Sequence, residues 1–280
     1  MIQKKLQDIL NYYFIGIGGI GMSALARYFL KKNHLVGGYE KVSTKLTESL
    51  KEEGCWLHYN DDIGELPEVF LEKKSTVVIY TPAVSDLHKE LTYFKESGYR
   101  VLKRSEMLGD VTQFSKGLCV AGTHGKTTTS TLLAHILNQS SWKCNAFLGG
   151  ISSNYNSNYI YDDKSEYTVI EADEYDTSFF DKRSKYIHYK PNILIINNIE
   201  FDHADIFEDI NAIVKNFHHL VRIIPKNGTI IYNHDDKNIQ DLIEKGLWSK
   251  QKSLTMGKSQ NNLMWSLTVS YTHLTLPTKR

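Results

Sequence analysis

Two glycine-rich segments constrain the fold of this chain more than any other feature of its sequence. They are GIGGIG at residues 16–21 and AGTHGKT at residues 121–127, and each lies between a short apolar run and a helical hydrophobic pattern. Loops of this kind join a strand to a helix, and their backbone amides approach phosphate groups at the helix N-terminus. Because strands alternate with helices around both loops, the sequence predicts an α/β fold with parallel sheets.

The chain has 280 residues, which is enough for about two domains of roughly 150 residues each. We expect a Rossmann-like domain over residues 1–105, an incomplete P-loop α/β domain over residues 106–265, and a tail without helical period over residues 266–280. The polar, turn-rich residues 151–165 predict a surface loop. The hydrophobic pattern predicts helices that include Ile20–Lys32 and Lys126–Gln139, and strands at Tyr12–Ile17, Leu35–Tyr39, Thr76–Tyr80, Tyr99–Leu102, Gly117–Ala121, Tyr167–Glu171, Asn192–Asn197 and Thr229–Tyr232.

The first glycine loop has the spacing of a dinucleotide-binding motif. Gly16, Gly18 and Gly21 form GxGxxG, and Glu40 follows the next predicted strand at the spacing of a ribose contact. Glycine permits the tight turn and the close approach of amides to a pyrophosphate. NAD, FAD and UDP-sugars all carry a pyrophosphate, so the loop alone leaves the ligand open. A glycine turn that only lets a strand and a helix pack closely is the structural alternative.

The second glycine loop is the more specific signal. Gly125, Lys126 and Thr127 form the GK[ST] end of a P-loop, in which amides and the lysine ammonium bind phosphates and the hydroxyl meets Mg²⁺. The loop departs from GxxxxGK[ST], because Val120 stands at the first position and Gly122 is the leading glycine instead. A chance GKT at a helix start is the alternative. Two phosphate loops in successive domains favour an enzyme that brings a nucleotide-linked substrate to ATP.

Acidic residues and a histidine follow two predicted strands of the second domain, and in open α/β sheets ligands gather at these carboxyl ends. Carboxylate and imidazole groups beside a triphosphate are candidate ligands of Mg²⁺. A solvated loop or a helix cap is the simpler interpretation of most of them, but Glu171 and His203 are predicted to be functional because they lie near the P-loop. The set is Glu171, Asp173, Glu174, Asp176, Asp202, His203 and Asp205.

The composition argues against several classes of protein. There are 33 Lys and Arg residues against 32 Asp and Glu, a net charge of +1, so no overall field favours nucleic acid or an anionic membrane. No apolar run reaches the roughly 18 residues of a transmembrane helix and no signal peptide is evident, which predicts a cytoplasmic protein. The three cysteines are widely spaced and form no CxxC, which argues against disulfides and structural zinc.

Several motifs together resemble the Mur ligase family. The resemblance extends over residues 10–265 and is greatest for members that act on UDP-N-acetylmuramate. It implies that ATP phosphorylates the lactyl carboxylate of this sugar nucleotide and that an amine then attacks the acyl phosphate, so the enzyme must neutralise and position two anions. The motifs are GIGGIGMS at residues 16–23, YTPA at 80–83, AGTHGKTTT at 121–129, EADEYD at 171–176 and NNIEFDH at 197–203.

The resemblance also implies roles for individual residues. Lys126 would stabilise the γ-phosphate, and His124 would approach the reacting carboxylate. Thr127 and Glu171 would bind one magnesium ion and His203 a second. The residues expected to hold ATP are Gly122, Thr123, Gly125, Lys126, Thr127 and Thr128. Those expected to hold the UDP moiety are Gly16, Gly18, Gly19, Gly21 and Glu40, where the family more often has Asp at the last position.

The two halves of the chain indicate different amine substrates. The first part, including KRSEMLG and AFLGGISSNY, is similar to family members that add L-alanine, and L-alanine is favoured because this is the longer match. The later part, including SFFDKRSKYIHYKPN, is similar to members that recycle a murein tripeptide, L-alanyl-γ-D-glutamyl-meso-diaminopimelate. After residue 267 neither the family's adenine-contacting segment nor its amine-binding domain follows, so we expect a truncated chain.

Two interpretations from other classes remain open beside a ligase of peptidoglycan precursor synthesis. A nucleotide-binding module without catalysis would bind UDP-sugar or ATP but release no phosphate when L-alanine is added. A nicotinamide dehydrogenase would depend on the GxGxxG loop alone and would bind NADH. No acid and base pair for hydride transfer is evident beside that loop.

Overall fold

The structure is a computed structural model that describes residues 11–113, 115–172, 176–178, 181–184, 188–202 and 207–255. Within these ranges the chain forms two sheets of mainly parallel strands, with helices packed against them. The predicted α/β class is therefore confirmed. No helix in the described part of the chain is long and apolar enough to cross a membrane.

The first unit consists of β1 (Asn11–Ile15), α1 (Ile20–Lys31), β2 (Leu35–Tyr39), α2 (Lys45–Glu52), β3 (Trp56–His58), α3 (Glu68–Leu71), β4 (Thr76–Tyr80), α4 (Lys89–Glu96) and β5 (Arg100–Lys103). Its sheet is parallel, in the order β3-β2-β1-β4-β5. Every residue of β1 is buried, as is typical of a parallel strand between helix layers. Tyr12 and Phe14 enter one core while Tyr13 and Ile15 enter another, because successive side chains point to opposite faces.

A helix, α5 (Arg104–Gln113), leads into the second unit. That unit consists of β6 (Lys116–Ala121), α6 (Lys126–Gln139), β7 (Asn145–Ser152), β8 (Ser157–Ile160), β9 (Tyr167–Glu171), β10 (Asp176–Ser178), β11 (Asp181–Ser184), β12 (Pro191–Ile196), α7 (Ile210–Ile223), β13 (Thr229–Asn233), α8 (Lys237–Glu244) and β14 (Lys250–Leu254). The larger sheet has the order β14-β13-β12-β6-β9-β7-β8, and within it only β7 and β8 pair antiparallel. Strands β10 and β11 form a separate antiparallel pair.

Helix α1 packs against both units. Its Phe29 ring stacks on Tyr12 of the first sheet, with ring centroids 3.6 Å apart. Its Tyr28 ring lies 5.6 Å from Phe147 and 6.1 Å from Tyr159, which belong to β7 and β8 of the second sheet. A single hydrophobic core therefore includes residues of both sheets.

Most predicted elements are present, with ends that differ by one or two residues. Strands β2, β4 and β9 and helix α6 have the predicted bounds. The prediction of a surface loop over residues 151–165 is wrong, because β8 lies within it and Asn158, Tyr159 and Ile160 are buried. The hydrophobic pattern missed this strand because its first buried residue is a polar asparagine, whose burial depends on partners far away in the sequence.

Candidate functional site

The loop between β6 and α6 has the backbone geometry of a phosphate-binding loop. Gly122 and Gly125 have φ angles of +136° and +76°, a region that favours glycine. Gly125 is the N-cap of α6, so the first amides of the helix point toward the loop, as in anion sites at helix N-termini. A Cβ atom at Gly122 would lie 3.1 Å from Cβ of Asn197, so a side chain there would also crowd the end of β12.

Lys126 is the first residue of α6, and its ammonium folds back over the loop. Nζ donates to the carbonyl oxygens of Gly122 at 2.8 Å and of Thr123 at 3.1 Å. Thr123 is itself fastened to the chain after β12: its amide donates to the carbonyl of Asn198 at 3.0 Å, and its hydroxyl donates to that of Glu200 at 3.2 Å. These bonds hold the ammonium where it can reach a phosphate bound by the loop amides.

Two asparagines that were not among the predicted site residues shape the loop from the side. Nδ2 of Asn197 donates to the carbonyl of His124 at 3.3 Å and to the hydroxyl of Thr129 at 3.0 Å. Oδ1 of Asn198 accepts the amide of His124 at 2.8 Å. Both residues directly follow the buried strand β12. Their position at a carboxyl end of the sheet is the signal that could have identified them.

Glu171, at the end of β9, lies beside the first turn of α6. Its carboxylate accepts the hydroxyl of Thr127 at 3.1 Å, the hydroxyl of Ser130 at 3.2 Å and the amide of Gly149 at 2.8 Å. A Cβ atom at position 149 would lie 2.7 Å from the carboxylate oxygens, so this approach requires glycine. Thr128, also predicted to hold ATP, is exposed on the same turn.

The pair Thr127 and Glu171 supplies hydroxyl and carboxylate oxygens, which are the ligand types that Mg²⁺ prefers. Within the described ranges, no group of three or more His, Cys, Asp or Glu side chains is placed to hold a metal ion. A magnesium ion at this pair would therefore take most of its ligands from phosphate oxygens and water, as magnesium commonly does at nucleotide sites.

Of the other predicted residues in the second unit, some lie within the described residues and others do not. The ring of His124 is half exposed, with Nε2 at 3.8 Å from a carboxylate oxygen of Glu200 and 4.0 Å from one of Asp202. Asp176 begins β10. The residues that lie outside the described ranges are Asp173, Glu174, His203 and Asp205.

The first glycine loop joins β1 to α1. Gly16 has a φ of +82°, and a Cβ atom there would lie 2.7 Å from the side chain of Thr81. Glu40 follows β2 and folds onto this loop: Oε2 accepts the amide of Gly18 at 2.6 Å, and Oε1 accepts that of Lys41 at 2.9 Å. Gly18 is required for this contact, because a Cβ atom would lie 2.7 Å from Oε2.

A cavity of about 230 Å³ is lined by residues of both units. Gly19 and Gly21 of the first loop line it, and so do Gly149 and Glu171 of the second unit. Arg104, the first residue of α5, also lines the cavity and was not among the predicted site residues. The sequence motif KRSEMLG contains it, but nothing in that motif indicates which side chain faces a cavity.

The fold and the loop geometry define a P-loop α/β protein with a second, Rossmann-like unit. Comparison with known families narrows this class. The chain belongs to the Mur ligase family: the family's catalytic domain matches residues 11–116 and the Mur ligase middle domain matches residues 120–276. The resemblance predicted from the motifs is therefore confirmed.

Curated relatives carry names from this family. A UDP-N-acetylmuramate–L-alanine ligase of Porphyromonas gingivalis is 49% identical over 222 residues, which are 79% of this chain and 47% of that protein. One from Phocaeicola vulgatus is 51% identical over 227 residues, which are 81% of this chain and 48% of that protein. The chain thus spans about half the length of the curated relatives it matches.

Solved structures agree with this placement. A UDP-N-acetylmuramate:L-alanyl-γ-D-glutamyl-meso-diaminopimelate ligase of Neisseria meningitides has a TM-score of 0.78 and 32% identity, and the match covers 90% of this chain and 82% of that one. A UDP-N-acetylmuramate–alanine ligase of Thermotoga maritima has a TM-score of 0.71 and 25% identity, covering 89% of this chain and 53% of that one.

Proposed function

We propose that this chain carries the nucleotide-binding parts of an ATP-dependent ligase that joins UDP-N-acetylmuramate to L-alanine in peptidoglycan precursor synthesis. The observation that carries the proposal is the cavity between the Gly19–Gly21 segment and Glu171, which would bring a sugar nucleotide held by the first unit next to ATP held by the second. The names of the relatives at 46–51% identity support the same reaction.

The proposed reaction has two chemical steps. An oxygen of the lactyl carboxylate attacks the γ-phosphorus of ATP, the bond to the β-phosphate oxygen breaks, and ADP leaves. The amine nitrogen then attacks the acyl phosphate, loses a proton and expels phosphate, so an amide remains. Lys126 and the loop amides would neutralise and orient the transferred group. His124, at the tip of the loop, would approach the carboxylate.

We propose further that Thr127 and Glu171 hold a magnesium ion. When bound, the ion would neutralise phosphate charge and polarise the γ-phosphate. The spacing of the two side chains supports this, because Oγ1 of Thr127 lies 3.1 Å from Oε2 of Glu171. His203 stays a predicted ligand of a second ion and lies outside the described residues.

In the first unit, the amides of the glycine loop would hold the pyrophosphate of UDP-N-acetylmuramate. The proposed residues are Gly16, Gly18, Gly19, Gly21 and Glu40. Glu40 accepts two backbone amides, so its carboxylate would position the loop and offer its remaining lone pairs to a ribose hydroxyl. We assign residues 1–105 to this unit, residues 106–265 to the ATP-binding unit and residues 266–280 to neither. A cytoplasmic location, and no role for nucleic acid or a membrane, belong to the same proposal.

Lys126→Ala tests the assignment of the two ligands to two sites. We expect it to abolish ATP binding, because the loop loses its ammonium, and to leave UDP-N-acetylmuramate bound to the first unit. Titration calorimetry with each ligand in the presence of magnesium measures both. Lys116→Ala is the matched control, because Lys116 is exposed at the start of β6, where it forms a salt bridge with exposed Glu166 and lies over the ring of Tyr167. Equal loss of both ligands in a folded Lys126→Ala protein would contradict the two-site assignment.

Recycling of the murein tripeptide is the second candidate, and the likeness to the Neisseria structure at a TM-score of 0.78 favours it. Phosphate release in the presence of ATP, magnesium and UDP-N-acetylmuramate separates the candidates when L-alanine and the tripeptide are added in turn. Faster release with L-alanine supports the first proposal, and faster release with the tripeptide supports the second. Binding of both nucleotides without release in either case identifies a non-catalytic binding module.

A further inference from the structure

The side chain of Arg104 lies against the first glycine loop. It stands where β5 ends and α5 begins, at the passage from the first unit to the second. Its guanidinium lies over the first turn of α1: a Cβ atom at Gly21 would be 2.7 Å from Nη1 and 3.0 Å from Cζ. The last glycine of the first loop therefore makes room for an arginine, in addition to any role in approaching phosphate.

The guanidinium has five N–H donors in a planar fork. In the described part of the chain, no side chain or carbonyl accepts a hydrogen bond from it, and no carboxylate lies within ion-pair distance. The contrast with Arg100, four residues earlier, is direct: Arg100 donates to Asp110 at 2.6 Å. Arg104 is half-buried at the cavity wall, so its donors are available to a ligand in that cavity.

The charges of the cavity identify the kind of ligand. Among the described residues that line it, the charged ones are Arg104, at the end of the first unit, and Glu171, in the second unit. Glu171 stands next to the P-loop and to Thr127, the proposed magnesium position. An anion between them would contact a cation on the first side and the metal-bound phosphates on the second. In the proposed reaction, the acid that receives the phosphoryl group must lie next to those phosphates, whereas the glycine loop holds the pyrophosphate of the sugar nucleotide.

We propose that Arg104 binds the carboxylate of the acid substrate and holds it in line with the γ-phosphate, an inference that rests on the function proposed above. A guanidinium fork binds a carboxylate with two parallel hydrogen bonds, which fixes its plane as well as its position. Arg104 would therefore distinguish the substrate from nucleotide sugars that lack the acid.

Paired titrations test this assignment. UDP-N-acetylglucosamine carries the same nucleotide but no lactyl carboxylate, so the ratio of its affinity to that of UDP-N-acetylmuramate measures the contribution of the acid. We expect Arg104→Gln to weaken the binding of UDP-N-acetylmuramate by roughly 10- to 100-fold and to leave the affinity for UDP-N-acetylglucosamine unchanged. Arg104→Lys keeps the charge without the fork and should restore only part of the difference. Arg222→Gln, on the exposed surface of α7, controls for loss of one charge.

The outcomes separate the inference from the function on which it rests. If Arg104→Gln weakens the binding of both nucleotide sugars equally, the guanidinium contacts the pyrophosphate and the inference is overturned. If Arg104→Gln and Arg104→Lys both keep the full preference for the acid, Arg104 does not bind the carboxylate. If the unaltered protein binds neither nucleotide sugar while it still binds ATP, the proposed function itself fails, and the inference fails with it.

Discussion

Gly149 decides where the carboxylate of Glu171 can lie. The amide of Gly149 donates to Oε1 at 2.8 Å, and both carboxylate oxygens occupy the space that a Cβ atom would need. Its neighbour Gly150 has no such restriction, because a Cβ atom there would meet only Thr127 Cγ2, at 4.0 Å. Two adjacent glycines of β7 thus differ in one physical respect, and the pair offers a matched comparison.

Gly149→Ala is expected to displace the carboxylate without unfolding the protein, because the obstructing atoms are the end of a flexible side chain. Magnesium-dependent ATP affinity should fall by roughly 10- to 100-fold, as when the support of a metal ligand is lost. Gly150→Ala should bind ATP like the unaltered protein. Calorimetry with and without magnesium measures the effect, and equal affinities for the two variants would show that the position of Glu171 does not matter.

A buried polar group in the first unit has a separate role. Nε2 of His58 lies 2.8 Å from the hydroxyl of Tyr13 and 3.0 Å from Oε1 of Glu90, and Nδ1 lies 3.2 Å from Glu65. Burial lowers the pKa of His58, but hydrogen bonds and charge from Glu90 and Glu65 outweigh it, so the net pKa is raised. The hydroxyl of Tyr13 donates to the fully buried Glu90 at 2.6 Å. The cluster belongs to the core and lies apart from the cavity residues.

The raised pKa of His58 predicts a pH dependence of stability. The contribution of His58 to stability is fully present below its pKa of about 6.5 in the unfolded state. It is lost as the pH rises through the higher pKa of the folded state. We therefore expect the free energy of unfolding to decrease as the pH rises above about 6.5, and His58→Gln to reduce this slope. Urea unfolding at a series of pH values measures the slope, with His219→Gln as the control because His219 is exposed on α7. An unchanged slope in His58→Gln would refute the assignment.

One buried side chain of strand β8 forms hydrogen bonds with helix α1. Asn158 is fully buried: Nδ2 donates to the hydroxyl of Ser23 at 2.9 Å and to the carbonyl of Ile20, and Oδ1 accepts from Arg27 at 2.8 Å. These three residues of α1 are three to four positions apart and share one helix face. Because α1 follows the first glycine loop, Asn158 sets the position of that loop relative to the second sheet.

Asn158→Ala should therefore destabilise the protein by roughly 1–3 kcal/mol, because Ser23 and Arg27 lose partners in a buried place. Asn154→Ala, on the exposed turn before β8, should change stability little. Urea unfolding measures both. A value for Asn158→Ala as small as that of Asn154→Ala would mean that the contacts along α1 are not important for stability.

At the scale of the whole molecule, the two sheets share one hydrophobic core around α1. A shared core couples the folding of two units, whereas separate cores let them unfold one after the other. The rings of Tyr28, Phe147 and Tyr159 lie at this junction. The cavity is lined by Phe147 and by Gly19 and Gly21 of the first loop, so the position of that loop relative to the second sheet depends on the shared core.

We accordingly expect the two units to unfold in one transition. Trp56 reports on the first sheet and Trp248 on the second, where its Nε1 donates to the carbonyl of Ile224. Two variants, one that keeps only Trp56 and one that keeps only Trp248 of the four tryptophans, allow each unit to be followed by fluorescence in urea. Coincident midpoints are the expected result. A midpoint that differs between the two probes would mean that the units unfold independently.

Much of the fold could be predicted from the sequence, because local interactions determine it. The period of apolar residues, the glycines at positive φ and the lysine after Gly125 act within a few residues of each other, so both strand–loop–helix units were predictable. The end of β9 indicated Glu171, because ligands gather at the carboxyl ends of parallel strands. Motif likeness indicated the family as well.

Only the tertiary structure decided which side chains line the cavity and which polar side chains are buried elsewhere. Arg104 and Gly21 are 83 positions apart, Glu171 is 150 positions from Gly21, and no local pattern encodes such a contact. Asn158 was expected in a loop because a polar residue is buried only where partners satisfy it, and its partners belong to α1. The sequence by itself determined the phosphate loops, because their chemistry is local. The packing of α1 between two sheets determined how those loops face each other.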